Sequence, residues 1–261
     1  MVYLSGLLIA ASAIVFSALH LRQDIGNYLD PVGIAVVLGG TLAVAVITVP
    51  WEIHAEIRLA LLRLLSNPRV DYRAINQECL DFINVVRQGA GRYTPKGRGE
   101  ASKLLAEGAE LISLGFEEAK IRSILEEHIF QLVERRQRVA NSLRGLAKYP
   151  PAFGLVGTVL GLVSLMNAIS AGASSTEAGS RMAVALVATL YGLLLANLVL
   201  NPAGENVMKS TNEERRSLEL ALEAVLLAAG TSSMLEAQEM LNARVAPTER
   251  IRAMAEAGAE A

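Results

Sequence analysis

Apolar residues fall into four long runs, residues 3–19, 32–49, 151–171 and 182–200, and all of the charge lies outside them. Each run has about the 17 to 25 residues that cross roughly 30 Å of hydrocarbon, so each predicts a transmembrane helix. The first run has no basic segment ahead of it and a second run follows after a short polar loop, so it reads as a retained span, not a cleaved signal. Between the second and third runs the pattern changes. In "WEIHAEIRLALLRLLSN", Ile53, Ile57, Leu61 and Leu64 recur at helical period, which predicts that the second span continues as an amphipathic helix with Arg58 and Arg63 near the membrane surface. Residues 72–88, 101–114 and 117–146 also read as amphipathic helices, broken by "GAGRYTPKGRG" and by Gly115. After the fourth run, "NEERRSLELALEAVLLAA" sets Leu218, Leu222, Val225 and Leu226 on one face, and "VAPTERIRAMAEAGAEA" reads as a frayed end.

Composition agrees with this segregation. Hydrophobic residues make up 52% of the 261 residues, yet 19% are charged, and the mean hydropathy of +0.37 is too apolar for an ordinary soluble domain. The loops "HLRQDIGNYLD" and "ISAGASSTEAGSR" hold only Arg22 and Arg181 of the 24 Lys and Arg residues. Basic residues are retained on the cytoplasmic side, so both termini and both large polar segments are expected inside. The expected fold is all-α: a polytopic membrane protein with four transmembrane helices and a helical cytoplasmic domain. Residues 1–50 form the first two spans, 51–150 the cytoplasmic domain, 151–203 the last two spans, and 204–261 cytoplasmic C-terminal helices and tail.

Several chemistries are excluded. A net charge of −2, with no basic stripe interleaved with aromatics, argues against nucleic acid. Cys79 is the single cysteine, so no intrachain disulfide or thiolate cluster can form, and it reads as a small core residue. His20, His54 and His128 lie in different segments without ligand spacing, and no structural metal or cofactor is expected. Arg135, Arg136, Arg138, Arg144 and Lys148 in "VERRQRVANSLRGLAKY" read as a solvated helix drawn to anionic lipid. No nucleophile-base pair or phosphate loop appears, so the chain is not expected to be an enzyme.

The third run carries Gly154, Gly157, Thr158 and Gly161 at i, i+3, i+4 and i+7, hence on one face. The fourth answers with Ala185, Ala188, Thr189, Gly192 and Ala196 at the same period. One reading is close helix packing with each threonine bonded back to its own helix. The other is that Thr158 and Thr189 line a path where hydroxyls and backbone oxygens replace part of a cation's water shell, as a hard cation such as Na⁺ requires. None of the four apolar cores contains Asp, Glu, Lys, Arg or His, which proton relays ordinarily need. A path with hydroxyls and no carboxylate suggests that a second polypeptide supplies the charge, with its helix lying on the small-residue faces.

"PPAFGLVGTVLGLV" and "MAVALVATLYGLLLANLVLNP" resemble the third and fourth spans of the MotA/PomA stator family, within the MotA/TolQ/ExbB channel superfamily. "DPVGIAVVLGGTLAVAVI" resembles that family's second span and "EGAELISLGFEEAKIRSILEEHI" its cytoplasmic domain. The resemblance implies an A subunit that forms a ring, a homopentamer in a 5:2 complex, around two single-span B subunits whose membrane Asp binds the transported cation, in the bacterial inner membrane. Ion flow would rotate the ring and deliver torque. Pro151 and Pro202 match the family's prolines at the cytoplasmic ends of the two spans, where a proline bends or caps a helix. Gly154, Gly157, Gly161, Ala185 and Gly192 fall at packing and partner-contact positions. Thr158 and Thr189 match positions where sodium-driven members place threonine near the Asp. Those members often carry a Thr pair, however, and this chain has Ala188, so Na⁺ and H⁺ both stay open. Tyr191 and Asn197 also match the fourth-span motif, as interhelical bonding groups or as ion contacts.

The resemblance weakens at the surface that engages a rotor. Arg87 in "NVVRQGAG" matches the family's basic residue, but where the family has an acidic pair this chain reads "TPKGRGE", with Lys96, Arg98 and Glu100. Exchanging acids for bases redirects such a contact. The load is therefore flagellar or another envelope process. A TolQ/ExbB-like energiser and a non-conducting membrane scaffold remain as alternatives.

Overall fold

The computed structural model describes residues 2–20, 25–63, 70–89 and 93–251, and among these every regular element is helical. Arg22, Leu64 and the tail beyond Ile251 lie outside the described residues, as does part of the "GAGRYTPKGRG" break. The chain divides into two compact units, one of residues 1–67 and 137–208, the other of residues 68–136 and 209–261.

The first unit holds α1 (Val2–His20), α2 (Pro31–Thr48), α3 (Trp51–Arg63), the end of α6 (Glu118–Leu146), α7 (Tyr149–Ser170), α8 (Ser175–Leu194) and the start of α9 (Asn201–Ala229). Asp30 caps α2, its carboxylate accepting from the Val32 and Gly33 amides at 3.2 and 2.6 Å, and Pro31 follows at the first helical position. The expected continuation of this helix through Trp51 is interrupted. Val49 is extended (φ −97°, ψ 128°) because the ring of Pro50 excludes the helical conformation from the residue before it, and α3 starts anew. Pro150 and Pro151 lie in the first turn of α7, where a missing N–H would have had no partner anyway. α7 ends at Gly172, whose φ of +83° closes the turn, and Ser174 then caps α8 by accepting from the Glu177 amide. α7 and α8 pack along their lengths, with α2 against both.

Among the described residues, three stretches are long and apolar enough to cross a membrane: Pro31–Thr48, a window within Glu118–Ser170 and one within Ser175–Ala229. The apolar part of α1, Ser5–His20, is shorter. Leu8, Ile9, Phe16, Val46, Ile47 and Leu155 point outward. In water such a surface would be costly; in hydrocarbon it is the required one. Below the apolar windows a small cluster of Val49, Ile53, Val139, Leu143, Leu146 and Leu200 joins α3 to α6 and α9.

The second unit contains α4 (Tyr72–Arg87), α5 (Glu100–Ser113), most of α6 and α9, and α10 (Met234–Ala243). Its core is built from the predicted apolar faces: Phe82, Ile83, Leu105, Ile121, Leu125, Leu218, Val225 and Leu241 are all buried. Gly108 lets α5 meet α9, since a Cβ there would run into Val225. Gly115 takes φ +77° to end α5, with the Phe116 amide returning to Leu111 O.

Candidate functional site

The two small-residue faces meet each other. A Cβ built on Gly154 would stand 2.9 Å from Thr189 Cα and 3.0 Å from Ala188 O, and one on Gly157 would stand 2.6 Å from Ala188 Cβ. At Gly161 it would overlap the Ala185 methyl, and at Gly192 the Pro150 carbonyl, 3.0 Å from Pro151 Cα. Side chains are missing here because backbones come together here. Of the two expected uses of the α7 glycines, helix packing and partner contact, the packing here is against this chain's own α8.

The close approach sets Thr158 and Thr189 side by side, with Oγ1 atoms 2.6 Å apart. Each hydroxyl reaches across the seam. Thr158 Oγ1 lies 2.9 Å from Ala185 O, the carbonyl one turn before Thr189, and Thr189 Oγ1 lies 3.3 Å from Gly154 O, the carbonyl one turn before Thr158. Thr158 also lies 3.2 Å from Gly154 O on its own helix. The bonding is therefore mainly crossed, where the packing alternative had each hydroxyl on its own helix. Each hydroxyl carries one proton, so two protons serve a cluster of four oxygens that all retain lone pairs. Both threonines are partly accessible and not sealed in the seam.

α2 closes one side of this neighbourhood. A cavity of about 310 Å³ is lined by Asp30, Gly33, Gly157, Ser164, Arg181 and Ala188. Arg181 donates to Ser164 Oγ at 2.8 Å and to Glu177 at 2.9 Å. Tyr191 accepts from the Asp30 amide at 2.9 Å and donates to Tyr28 O, tying the loop before α2 to α8. Asp30 is a buried carboxylate that periodicity did not single out; the signal for it was the Asp-Pro pair opening an apolar run. Asn197 donates to Leu193 O at 3.1 Å within its own helix.

The helix that carries Thr189 does not end at Leu194. It passes through a π-turn, Leu195–Leu200, in which the Asn201 amide bonds to Ala196 O, and Pro202 follows within the first turn of α9. Pro202 has no N–H to give to Leu198 O four residues back. Tyr3 Oη on α1 donates to that carbonyl instead.

Arg87, Lys96, Arg98 and Glu100 belong to the second unit. Arg87 donates to Leu227 O at 2.6 Å and to Ser232 Oγ at 3.0 Å, so it caps the C-terminal end of α9. Glu78, a buried carboxylate, organises the following loop: it accepts from the amides of Lys96 and Gly97 at 2.9 and 3.2 Å, from Ser102 Oγ at 2.7 Å and from Tyr93 Oη at 3.3 Å. Burial, then the adjacent Glu78 charge, hold the Tyr93 phenol well above its ordinary range. Lys96 pairs with Asp81 at 2.6 Å, and this hydrogen bond raises its pKa. Glu100 pairs with Lys103 at 2.8 Å, and Arg98 is exposed. Cys79 is fully buried, and burial pushes its thiol up.

The chain is similar in sequence and in fold to known proteins. Residues 97–220 match the MotA/TolQ/ExbB proton channel family. The chain is 25% identical over 235 residues to motility protein A of Cereibacter sphaeroides, covering 90% of this chain and 91% of that one. It is 24% identical over 220 residues to the chemotaxis protein PomA of Vibrio alginolyticus, covering 84% and 85%. The solved flagellar MotAB stator complex of Bacillus subtilis contains a chain of the same fold, with a TM-score of 0.78 at 20% identity over 95% of this chain and 96% of that one.

Proposed function

We propose that this chain, which is similar to motility protein A and to PomA and matches the MotA/TolQ/ExbB proton channel family over residues 97–220, is the A subunit of a flagellar stator, an ion channel that turns cation flow into torque. The observation that carries the ion path is the crossed hydroxyl pair, four oxygens within 3.3 Å of one another's partners in a seam of apolar helices. In this reading a single-span B subunit with a membrane Asp binds the cation. Thr158, Thr189 and the carbonyls of Gly154 and Ala185 form a neutral wall past which the cation moves, exchanging water oxygens for protein oxygens. α1 completes a set of four spans, and both termini face the cytoplasm from the inner membrane. Domain boundaries then follow as 1–50, 51–150, 151–203 and 204–261. Five A subunits surround two B subunits, and the charged surface around Lys96, Arg98 and Glu100 meets the rotor, with Arg87 supporting it from within.

Neutral oxygens favour Na⁺ as the carried ion. The family's description as a proton channel favours H⁺, in which case the partner's carboxylate carries the proton and the hydroxyls only orient it. Ala188, which lines the cavity beside Gly33 and Gly157, leaves the threonine pair of sodium-driven members incomplete and weighs toward H⁺.

Co-expression with the B subunit in a strain without other stators tests the proposal. Swimming is restored by the wild-type chain and varies with sodium at fixed pH, whereas Thr158→Ala and Thr189→Ala abolish it or change its ion dependence. Unchanged ion-driven swimming in both variants would sink the ion-path assignment, and dependence on pH alone selects the proton reading.

A further inference from the structure

Tyr3, in the first turn of α1, is not among the groups bonded to the hydroxyl pair. Its neighbourhood is unusual. The α8 helix, which carries Thr189, continues into α9 through a π-turn, a conformation found mostly as single turns at functional sites. The turn precedes Pro202, whose ring removes the N–H that would have bonded Leu198 O and clashes with that carbonyl in a regular helix. Widening the helix to a π-turn relieves the clash. The Tyr3 hydroxyl, from the first turn of α1, donates to Leu198 O. The tyrosine ring packs on the cluster of Leu143, Leu146 and Leu200 that anchors this junction.

We propose that Tyr3 is a positioning residue that latches the π-turn and thereby fixes the helical register with which α8 presents Thr189. A helix advances by about 100° per residue, so a turn that gains or loses the π geometry rotates one flanking face against the other. With Leu198 O held by an outside donor, the widened turn is the favoured state. Without that donor the carbonyl must find another partner, and the turn samples tighter geometries. Asn197 and Asn201 flank the turn, with Asn201 Nδ2 donating to Asn197 Oδ1 at 3.4 Å, and both side chains bond within the same helix. Tyr3 is thus the hydroxyl that joins the turn to a different element. Its effect on ion-driven output rests on the stator reading above; its effect on the turn does not.

The test uses Tyr3→Phe, which keeps the ring and removes the hydroxyl, in the full chain assembled with its B subunit. Hydrogen exchange of peptides covering residues 195–207 rises severalfold, because the turn opens more often. In cells maximal swimming output falls by about twofold or more at wild-type membrane levels, while the half-saturating cation concentration stays within about twofold, since the ion's own oxygens are untouched. Pro202→Ala supplies the missing N–H to Leu198 O. In that background Tyr3→Phe changes the exchange little, as expected when two donors serve one carbonyl. Unchanged exchange in Tyr3→Phe alone overturns the latch, and an equal rise in both backgrounds overturns the shared carbonyl. Raised exchange with undiminished output overturns the positioning role. A wild-type chain that supports no ion-driven swimming refutes the stator reading, and the exchange measurement then still decides the latch.

Discussion

Replacing Gly161 by alanine puts one methyl group into the α7–α8 seam. Comfortable carbon–carbon contact needs about 3.5–4.0 Å, yet the new Cβ would overlap the Ala185 methyl and lie 2.8 Å from Ala185 Cα. A backbone atom cannot swing aside as a flexible side chain would, so the helices must separate locally by roughly 1 Å. Overpacking of this kind costs about 1–3 kcal/mol. The functional consequence is nearer than that figure suggests. Ala185 O is the acceptor for Thr158 at 2.9 Å, and a displacement of about 1 Å takes that pair out of hydrogen-bond range. Losing the bond adds about 1 kcal/mol, for a combined cost of about 2–4 kcal/mol. The assay is the midpoint of heat unfolding of the detergent-solubilised complex, with swimming output measured in parallel. Gly161→Ala lowers the midpoint by about 5–10 °C and reduces output, and adding Ala185→Gly removes the methyl overlap but not the 2.8 Å approach to Cα of residue 185, so it recovers only part of both. Wild-type stability in Gly161→Ala, or a double variant no better than the single one, would refute the close-seam argument.

Other consequences follow from the second unit. Arg87→Ala frees the C-terminal carbonyls of α9 and lowers denaturant stability by about 1.5–3 kcal/mol, a hydrogen bond from a charged group; a purely surface-exposed Arg87 would show almost no change. Asn242 exchanges two hydrogen bonds with the backbone of Ile251, accepting from its amide and donating to its carbonyl at 2.9 Å each, while Asn76 bonds to Asn242 at 3.2 Å. Asn242→Ala therefore speeds limited proteolysis between residues 244 and 251, while Ile251→Ala, which keeps the backbone bonds, does so less. Cys79 resists alkylation in the native protein and reacts on unfolding, because burial removes access and raises its pKa; rapid native labelling would contradict the packing of α4. The Lys96–Asp81 pair raises the lysine pKa in the folded state, so its contribution is complete at neutral pH and is lost only as pH climbs past the ordinary lysine range. Stability measured between pH 6 and 8 shows no step from Lys96→Gln relative to wild type.

Helices and their faces were legible because period and punctuation agree. Residues 72–88, 101–114 and 117–146 were expected and α4, α5 and α6 lie at Tyr72–Arg87, Glu100–Ser113 and Glu118–Leu146. The small-residue stripes were also readable, since a missing Cβ repeated at helical spacing has few uses other than close approach. The stripes leave two readings open, packing of the two helices on each other or a seat for a partner's helix, and the three-dimensional pairing turns these faces of α7 and α8 toward each other. The same holds for the crossed hydroxyls, because a threonine's preference for its own i−4 carbonyl is the local choice and the cross-helix carbonyl is a tertiary one. Two prolines shape what periodicity alone does not show. Pro50 splits α2 from α3, and Pro202 carries a π-turn before it; both follow from the missing N–H and the ring's bulk. Arg87 is singled out in the sequence only by its match to the family's basic residue; its bonds to Leu227 O and Ser232 Oγ, about 140 residues away, are tertiary and leave no local signal.

The central claim is that the paired hydroxyls of Thr158 and Thr189 form the channel's oxygen wall, and cation uptake tests it most directly. The complex with its B subunit is reconstituted into vesicles, and uptake is followed for wild type, for Thr158→Ser with Thr189→Ser, and for Thr158→Val with Thr189→Val. Serine keeps the oxygens and valine keeps the shape, so the account predicts uptake near wild type in the serine pair and a loss of about tenfold or more in the valine pair, with assembly intact in both. Equal uptake in the valine pair would contradict it.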